Sequence, residues 1–83
     1  MPRCWLVERS YNDRDLVTLV YATPDGQRAV RKEVPMTAIS QGTVAVTAAK
    51  TVNEANLEPV ETTERYRREV ARVREDHGPD DEI

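Results

Sequence analysis

The tetrad Thr23-Pro24-Asp25-Gly26 constrains the fold more than any other feature, because it is a strong turn signal. Proline presets φ for the first corner of a type I turn, aspartate bonds to the local backbone, and glycine accepts a positive φ. The run before it, residues 16–22, is rich in β-branched and apolar residues. We therefore predict a β-hairpin that is closed by Thr23 and Gln27, with Gly26 at a bulge.

This closure fixes which residues face each other across the hairpin. It places Val20 opposite Val30 on an apolar face of the sheet, and Leu19 opposite Arg31 on a mixed face. The second strand is apolar on both faces, but the chain offers only one long helix to cover them. An apolar face without a cover is a typical place for a partner. We therefore predict that the mixed face contacts a partner through three side chains: Val17, Leu19 and Tyr21.

Four further segments surround this hairpin. The apolar run within residues 3–9 predicts a first strand, and residues 35–41 fit one helical turn that Gly42 ends. Residues 43–52 alternate in polarity and are rich in β-branched side chains, which predicts a fourth strand. The alternative is a helix, in which Val44, Ala48, Val52 and Ala55 lie on one stripe. Residues 53–60 predict an irregular crossing, since Pro59 blocks a continuing helix.

The last element is predicted as a helix from Thr63 to His77. Its apolar side chains recur at helical spacing, Thr62 or Thr63 caps its start, and Gly78 followed by proline ends it. The apolar stripe consists of Tyr66, Val70 and Val73. The fold prediction is α+β: a small antiparallel sheet of three to four strands, with the C-terminal helix packed on one face. Residues 1–78 form the single domain, and residues 79–83 form an acidic C-terminal tail.

The C-terminal helix also carries the main charged feature of the sequence. Residues 65–74 hold five arginines and one glutamate, a net charge of +4. Three of the arginines recur at i, i+3 and i+7, so they share a helix face that fits phosphates. The alternative is a solvated helix with ion pairs between residues four apart: Glu61 with Arg65, Glu64 with Arg68, and Arg72 with Asp76. The candidate phosphate-contacting residues are Arg65, Arg68 and Arg72.

Catalytic chemistry finds little support in the sequence. Cys4 is the only thiol and His77 the only imidazole, and neither stands in a context that indicates a nucleophile and base. Cys4 lies in an apolar strand, and His77 suits the negative end of a helix dipole. The three glycines stand too far apart for a phosphate-binding loop, and no EF-hand or paired-histidine pattern occurs. We predict no enzyme, no metal site, no cofactor and no small-molecule substrate.

Composition limits the setting and the partners. The chain has 83 residues, a net charge of -3 and 39% hydrophobic residues, and one cysteine cannot form an internal disulfide. Small secreted domains usually depend on disulfides, so a cytoplasmic location is expected. No apolar run is long enough for a signal peptide or a membrane span. A core of this size is marginal, and association with a second copy is a direct way to enlarge it.

Scattered blocks over most of the chain resemble short uncharacterised proteins of halophilic archaea. The blocks are Trp5-Leu6-Val7-Glu8-Arg9, residues 16–26, Leu57-Glu58-Pro59-Val60, Glu64-Arg65-Tyr66 and residues 77–82. The few lysines and the acidic tail agree with that resemblance. It implies a cytoplasmic setting and no assigned activity, so it transfers no site residues to this chain.

Together these observations predict a non-enzymatic module that binds another protein or forms a homodimer. The alternative is a small nucleic-acid-associated regulator that uses the arginine-rich helix. The net charge of -3 and the lack of a recognised nucleic-acid-binding motif favour the first prediction.

Overall fold

Five antiparallel strands form one sheet in the computed structural model, which describes residues 2–82. The strand order is β4-β1-β2-β3-β5. A short helix follows β3, and a long helix ends the fold. The elements in chain order are β1 (Arg3–Tyr11), β2 (Leu16–Ala22), β3 (Arg28–Pro35), α1 (Met36–Ser40), β4 (Ala49–Thr51), a 3-10 turn (Glu54–Asn56), β5 (Glu58–Pro59) and α2 (Thr63–Asp76). The predicted α+β class is confirmed, with five strands in place of the three to four expected.

The hairpin between β2 and β3 forms at the predicted turn, but its register differs by one residue. Gly26 has a φ of 73° and its N–H donates to the Thr23 carbonyl at 2.8 Å. The Asp25 carboxylate accepts the Gln27 N–H at 3.0 Å, so Gln27 does not close the ladder. Instead the Thr23 N–H donates to the Arg28 carbonyl at 2.9 Å. The closing pair is therefore Thr23 and Arg28.

The shifted register moves the apolar residues of β3 to the other face of the sheet. Val17 lies opposite Val34, and Tyr21 lies opposite Val30. Val20 lies opposite Arg31, where an apolar pair was predicted. A one-residue slip reverses every side chain of a strand, so the face that was predicted to be mixed is the more apolar one.

Helix α2 covers one face of the sheet, which we call the helix-covered face. Val70 and Val73 of α2 are 1% and 5% exposed, as the predicted stripe requires. They pack in one buried cluster with β-strand and loop residues, and Val60 and Tyr66 lie at its margin. The sheet side of this cluster consists of Trp5, Val7, Val20, Ala22, Ala29, Ala48 and Ala49.

Residues 36–57 cover the opposite face, which we call the loop-covered face. This segment contains α1, β4 and the 3-10 turn, joined by irregular chain. Only Ala49–Thr51 form a strand within the predicted strand 43–52. The segment contributes the buried residues Val46, Val52 and Leu57. They pack on Cys4, Leu6, Val17, Leu19, Tyr21 and Val34 of the sheet.

The end of the chain lies against the start of β4. The Ala48 N–H donates to the Asp81 carbonyl at 2.8 Å, and the Ala49 N–H donates to the Pro79 carbonyl at 3.1 Å. Helix α2 ends at Asp76, and His77 follows with extended backbone angles. Gly78 is not a left-handed helix cap, since among the described glycines only Gly26 and Gly42 have positive φ. The acidic tail thus protects part of a sheet edge.

Candidate functional site

The predicted interaction face is part of the core. Val17, Leu19 and Tyr21 are 1%, 2% and 2% exposed. The Tyr21 hydroxyl also donates to the Thr47 carbonyl at 3.0 Å, which ties β2 to the covering segment. The prediction that these three side chains meet a partner is therefore corrected: residues 36–57 of the same chain cover them. The sequence argument missed this cover because the segment is mostly irregular.

The predicted phosphate-contacting arginines are exposed, but each has a carboxylate neighbour. Arg65 lies 3.5 Å from Glu8 of β1, Arg68 lies 3.7 Å from Glu64, and Arg72 lies 2.8 Å from Glu69. All three side chains are at least 65% exposed. The predicted pairing of Glu64 with Arg68 is present, whereas Arg65 and Arg72 have partners other than those predicted. Helix α2 as a whole contains five arginines and four acidic residues, so its charges nearly balance.

Cys4 and His77 are separated by the sheet. Cys4 is fully buried under the loop-covered face, and this burial raises the pKa of its thiol. His77 lines a groove between α2 and β1, on the side of the helix-covered face, together with Glu8, Glu69 and Arg72. No pair of nucleophile and base forms from these two residues. Within residues 2–82, no group of three histidine, cysteine or acidic side chains is arranged to hold a metal ion.

The two lysines of the chain meet at one end of the loop-covered face. Lys32 lies on β3 and Lys50 on β4, which two other strands separate in the sheet. The Nζ of Lys50 lies 5.9 Å from the centroid of the Tyr21 ring. The nearby Lys32 amine is the largest cause that lowers the pKa of Lys50, and burial adds to it. We call the adjoining cavity the lysine cleft; it is lined by Tyr21, Val30, Arg31, Lys32, Lys50, Thr51, Val52, Asn53 and Asn56.

A second surface feature lies at the opposite end of β2. Tyr11 is 58% exposed, and among the described residues it is the only large hydrophobic side chain left in solvent to that extent. Beside it opens a cavity of about 190 Å³ that β1, β2, α1 and Val46 line. A smaller cavity of about 170 Å³ shares Ile39 and Val46 with the first and is also lined by Gly42, Val44, Ala45 and Glu82. We call this surface the Tyr11 patch; it consists of Tyr11, Met36, Ile39, Val44 and Val46.

Sequence reasoning did not find either surface. A single exposed aromatic residue such as Tyr11 has no sequence pattern that would indicate an interface. The lysine pair is separated by 17 residues in the sequence, on strands that are not neighbours, so no local spacing indicates it. The one available signal was composition, because Lys32 and Lys50 are the only lysines beside ten arginines.

The architecture defines a small α+β domain with one five-stranded antiparallel sheet, covered by a helix on one face and by a long irregular segment on the other. Its surface offers a cationic cleft and an apolar patch. The chain belongs to a family of unknown function, DUF7967, whose sequence model matches residues 1–83. Comparisons with curated proteins and with solved structures found no match.

Helix α2, the longest, has 14 residues and nine charged side chains. Across residues 2–82, no helix combines the length and the apolar character that crossing a bilayer requires.

Proposed function

We propose that this protein is a non-enzymatic, cytoplasmic interaction module that forms a homodimer through the Tyr11 patch. The observation that carries the proposal is the exposed Tyr11 ring beside a mainly apolar cavity of about 190 Å³. A twofold dimer joins one surface to an identical surface, so that surface needs both a projection and a matching recess. The Tyr11 patch has both, and they lie side by side.

The chemistry of the patch fits a protein surface. Most of the cavity wall is apolar and consists of Val17, Met36, Ile39 and Val46, beside the polar residues Arg9 and Ser40. The Arg9 guanidinium lies 5.8 Å from the centroid of the Tyr11 ring. Aromatic residues and methionine are enriched at the centre of protein interfaces, where a tyrosine ring buries apolar area and keeps its hydroxyl at the rim. The tyrosine of one copy would enter the cavity of the other, and the reverse contact would form by symmetry.

The size of the protein is compatible with such a dimer. A standard interface buries about 800 Å² on each partner. The surface of this protein measures 5587 Å². An interface of that size would take about one seventh of the surface, so it would extend from Tyr11 over α1 and residues 42–46. Burial of Tyr11 and Ile39 would also enlarge the small core under the loop-covered face.

The cytoplasmic part of the proposal is supported by Cys4, which is a free thiol in the core and not part of a disulfide. We also propose an origin in halophilic archaea, which is supported by the resemblance described above and by the scarcity of lysine. The nucleic-acid alternative stays a prediction with less support, because Arg65, Arg68 and Arg72 each have a carboxylate within 4 Å.

Sedimentation equilibrium over a range of protein concentrations tests the proposal. We expect the wild-type protein to show a monomer–dimer equilibrium. Tyr11→Ser should raise its dissociation constant by about 1,000-fold, because the twofold dimer loses two aromatic contacts of about 2 kcal/mol each. Tyr11→Phe keeps the ring and is expected to keep the dimer. Arg68→Ala, on the far side of the sheet, is the matched control. A wild-type monomer at all concentrations, or a dimer that Tyr11→Ser leaves intact, contradicts the proposal.

A further inference from the structure

The lysine cleft is unusual in its balance of charge. Lys32 and Lys50 line it, and none of its lining residues is acidic. Arg31 also lines it, but Arg31 lies opposite Val20, so its side chain projects from the helix-covered face. Within residues 2–82, neither lysine amine has a carboxylate within 4.0 Å. The groove between α2 and β1 contrasts with this, because Glu8 and Glu69 line it beside its cations. In a chain of net charge -3, the cleft is a local excess of positive charge.

The fold holds the two lysines close together although like charges repel. Lys50 lies opposite Cys4 on β1, and Lys32 lies opposite Leu19 on β2, so both project from the loop-covered face. The Tyr21 ring lies beneath Lys50 and is itself fixed by its hydrogen bond to Thr47. The pKa of Lys50 is lowered first by a hydrogen bond with the Lys32 amine, then by burial, and then by the charge of Lys32. A bound anion would offset this repulsion.

We propose that the lysine cleft binds a phosphate group, with the amines of Lys32 and Lys50 as its principal contacts. Lysine binds phosphate as a compact point charge, and two amines beside one another match a group that carries up to two negative charges. The site is distinct from the Tyr11 patch and does not depend on dimer formation.

The remaining walls of the cleft fit a phosphate that is attached to a small organic molecule. The cavity measures about 560 Å³, which is within the range of sites for small molecules. Tyr21, Val30 and Val52 supply apolar surface beside the cations. Asn53 and Asn56 stand at the rim, where amide groups are able to donate to oxygens or accept from hydroxyls. The same amines are able to bind free inorganic phosphate, so the experiment has to distinguish an organic phosphate from the free ion.

The test is a titration of the full chain followed by two-dimensional amide NMR at neutral pH and low salt. Three probes are compared: inorganic phosphate, adenosine monophosphate and adenosine. We expect the first two to shift the amide signals of residues 30–32 and 50–53, and adenosine to bind at least about tenfold more weakly than its monophosphate. Tighter binding of the monophosphate than of inorganic phosphate identifies an organic phosphate as the source. Equal affinities identify the free ion.

Substitutions assign the binding to the lysine pair. Lys32→Gln and Lys50→Gln are each expected to weaken phosphate binding about tenfold, the usual effect of losing one charge-assisted contact. Lys32→Arg keeps the charge and is expected to retain most of the affinity. Arg14→Gln, in the loop between β1 and β2, is the matched control and is expected to have no effect. The proposal is overturned if no probe shifts the cleft signals, if adenosine binds as well as its monophosphate, or if Arg14→Gln weakens binding as much as Lys32→Gln.

Discussion

Gly26 and Gly42 provide a matched pair for testing how the hairpin turn packs on helix α2. Both have nearly the same left-handed backbone, with φ of 73° and 77°. A Cβ at Gly42 would have no heavy atom within 4 Å. A Cβ at Gly26 would lie 2.6 Å from the backbone nitrogen of Arg67 and would also overlap the Thr63 carbonyl oxygen. Alanine therefore causes backbone strain at both positions, and a steric clash with helix backbone at Gly26 alone.

The expected free-energy costs follow from these two terms. The left-handed conformation costs a non-glycine residue about 1 kcal/mol, so Gly42→Ala should lower the free energy of unfolding by about that amount. Gly26→Ala carries the same strain plus overpacking of about 1–3 kcal/mol, because backbone atoms of α2 have to move. The total of about 2–4 kcal/mol is a large part of the stability of a domain this size, which is on the order of 4–12 kcal/mol.

Urea denaturation followed by circular dichroism measures both variants against the wild type. We expect the midpoint to fall much further for Gly26→Ala than for Gly42→Ala, with similar m-values. The melting temperature should fall by about 4–8 °C for each kcal/mol lost. Equal losses for the two variants would refute the close approach of the turn to α2. They would mean that backbone strain is the whole effect.

Three further predictions concern single side chains. Tyr66→Phe removes the hydroxyl that donates to Glu8 at 2.8 Å and should lower the free energy of unfolding by about 1 kcal/mol in a urea titration; an unchanged midpoint would exclude a stabilising contact. Burial raises the pKa of the Cys4 thiol in the folded state, so the contribution of Cys4 to stability is fully present below pH 9.0 and should decline above it. Cys4→Ala should lack this decline when urea midpoints are compared from pH 7 to 10. Lys32→Gln should raise the free energy of unfolding by a few tenths of a kcal/mol at pH 7, because it removes the repulsion of Lys50. That gain should fade as the pH approaches 10.5, where lysine loses its charge in the unfolded chain as well.

The parts of the fold that local signals determine were predictable from the sequence. The turn at Thr23–Gly26 and helix α2 both form where turn chemistry and helical periodicity indicate them. The register was not predictable to one residue, because Asp25 captures the Gln27 N–H and shifts the closing pair to Arg28. That choice depends on a side-chain hydrogen bond within the turn, which the residue types alone leave open.

The segment that covers the loop-covered face could not be predicted from sequence patterns, for a different reason. Residues 36–57 have few hydrogen-bonded elements, and their burial depends on scattered contacts such as that of Val46 with the sheet. The candidate surfaces depend on this cover: α1 forms the wall beside Tyr11, and β4 brings Lys50 next to Lys32. Periodicity places residues on one element, whereas both surfaces arise between elements.

An isotope-filtered NOE experiment shows directly whether two copies of the protein join through the Tyr11 patch. A mixture of labelled and unlabelled protein reports only contacts between copies. The account predicts intermolecular NOEs from the Tyr11 ring protons to the methyl groups of Met36 and Ile39. A dimer whose intermolecular NOEs come from another surface, with none from Tyr11, would contradict it, as would the absence of any intermolecular NOE at millimolar concentration.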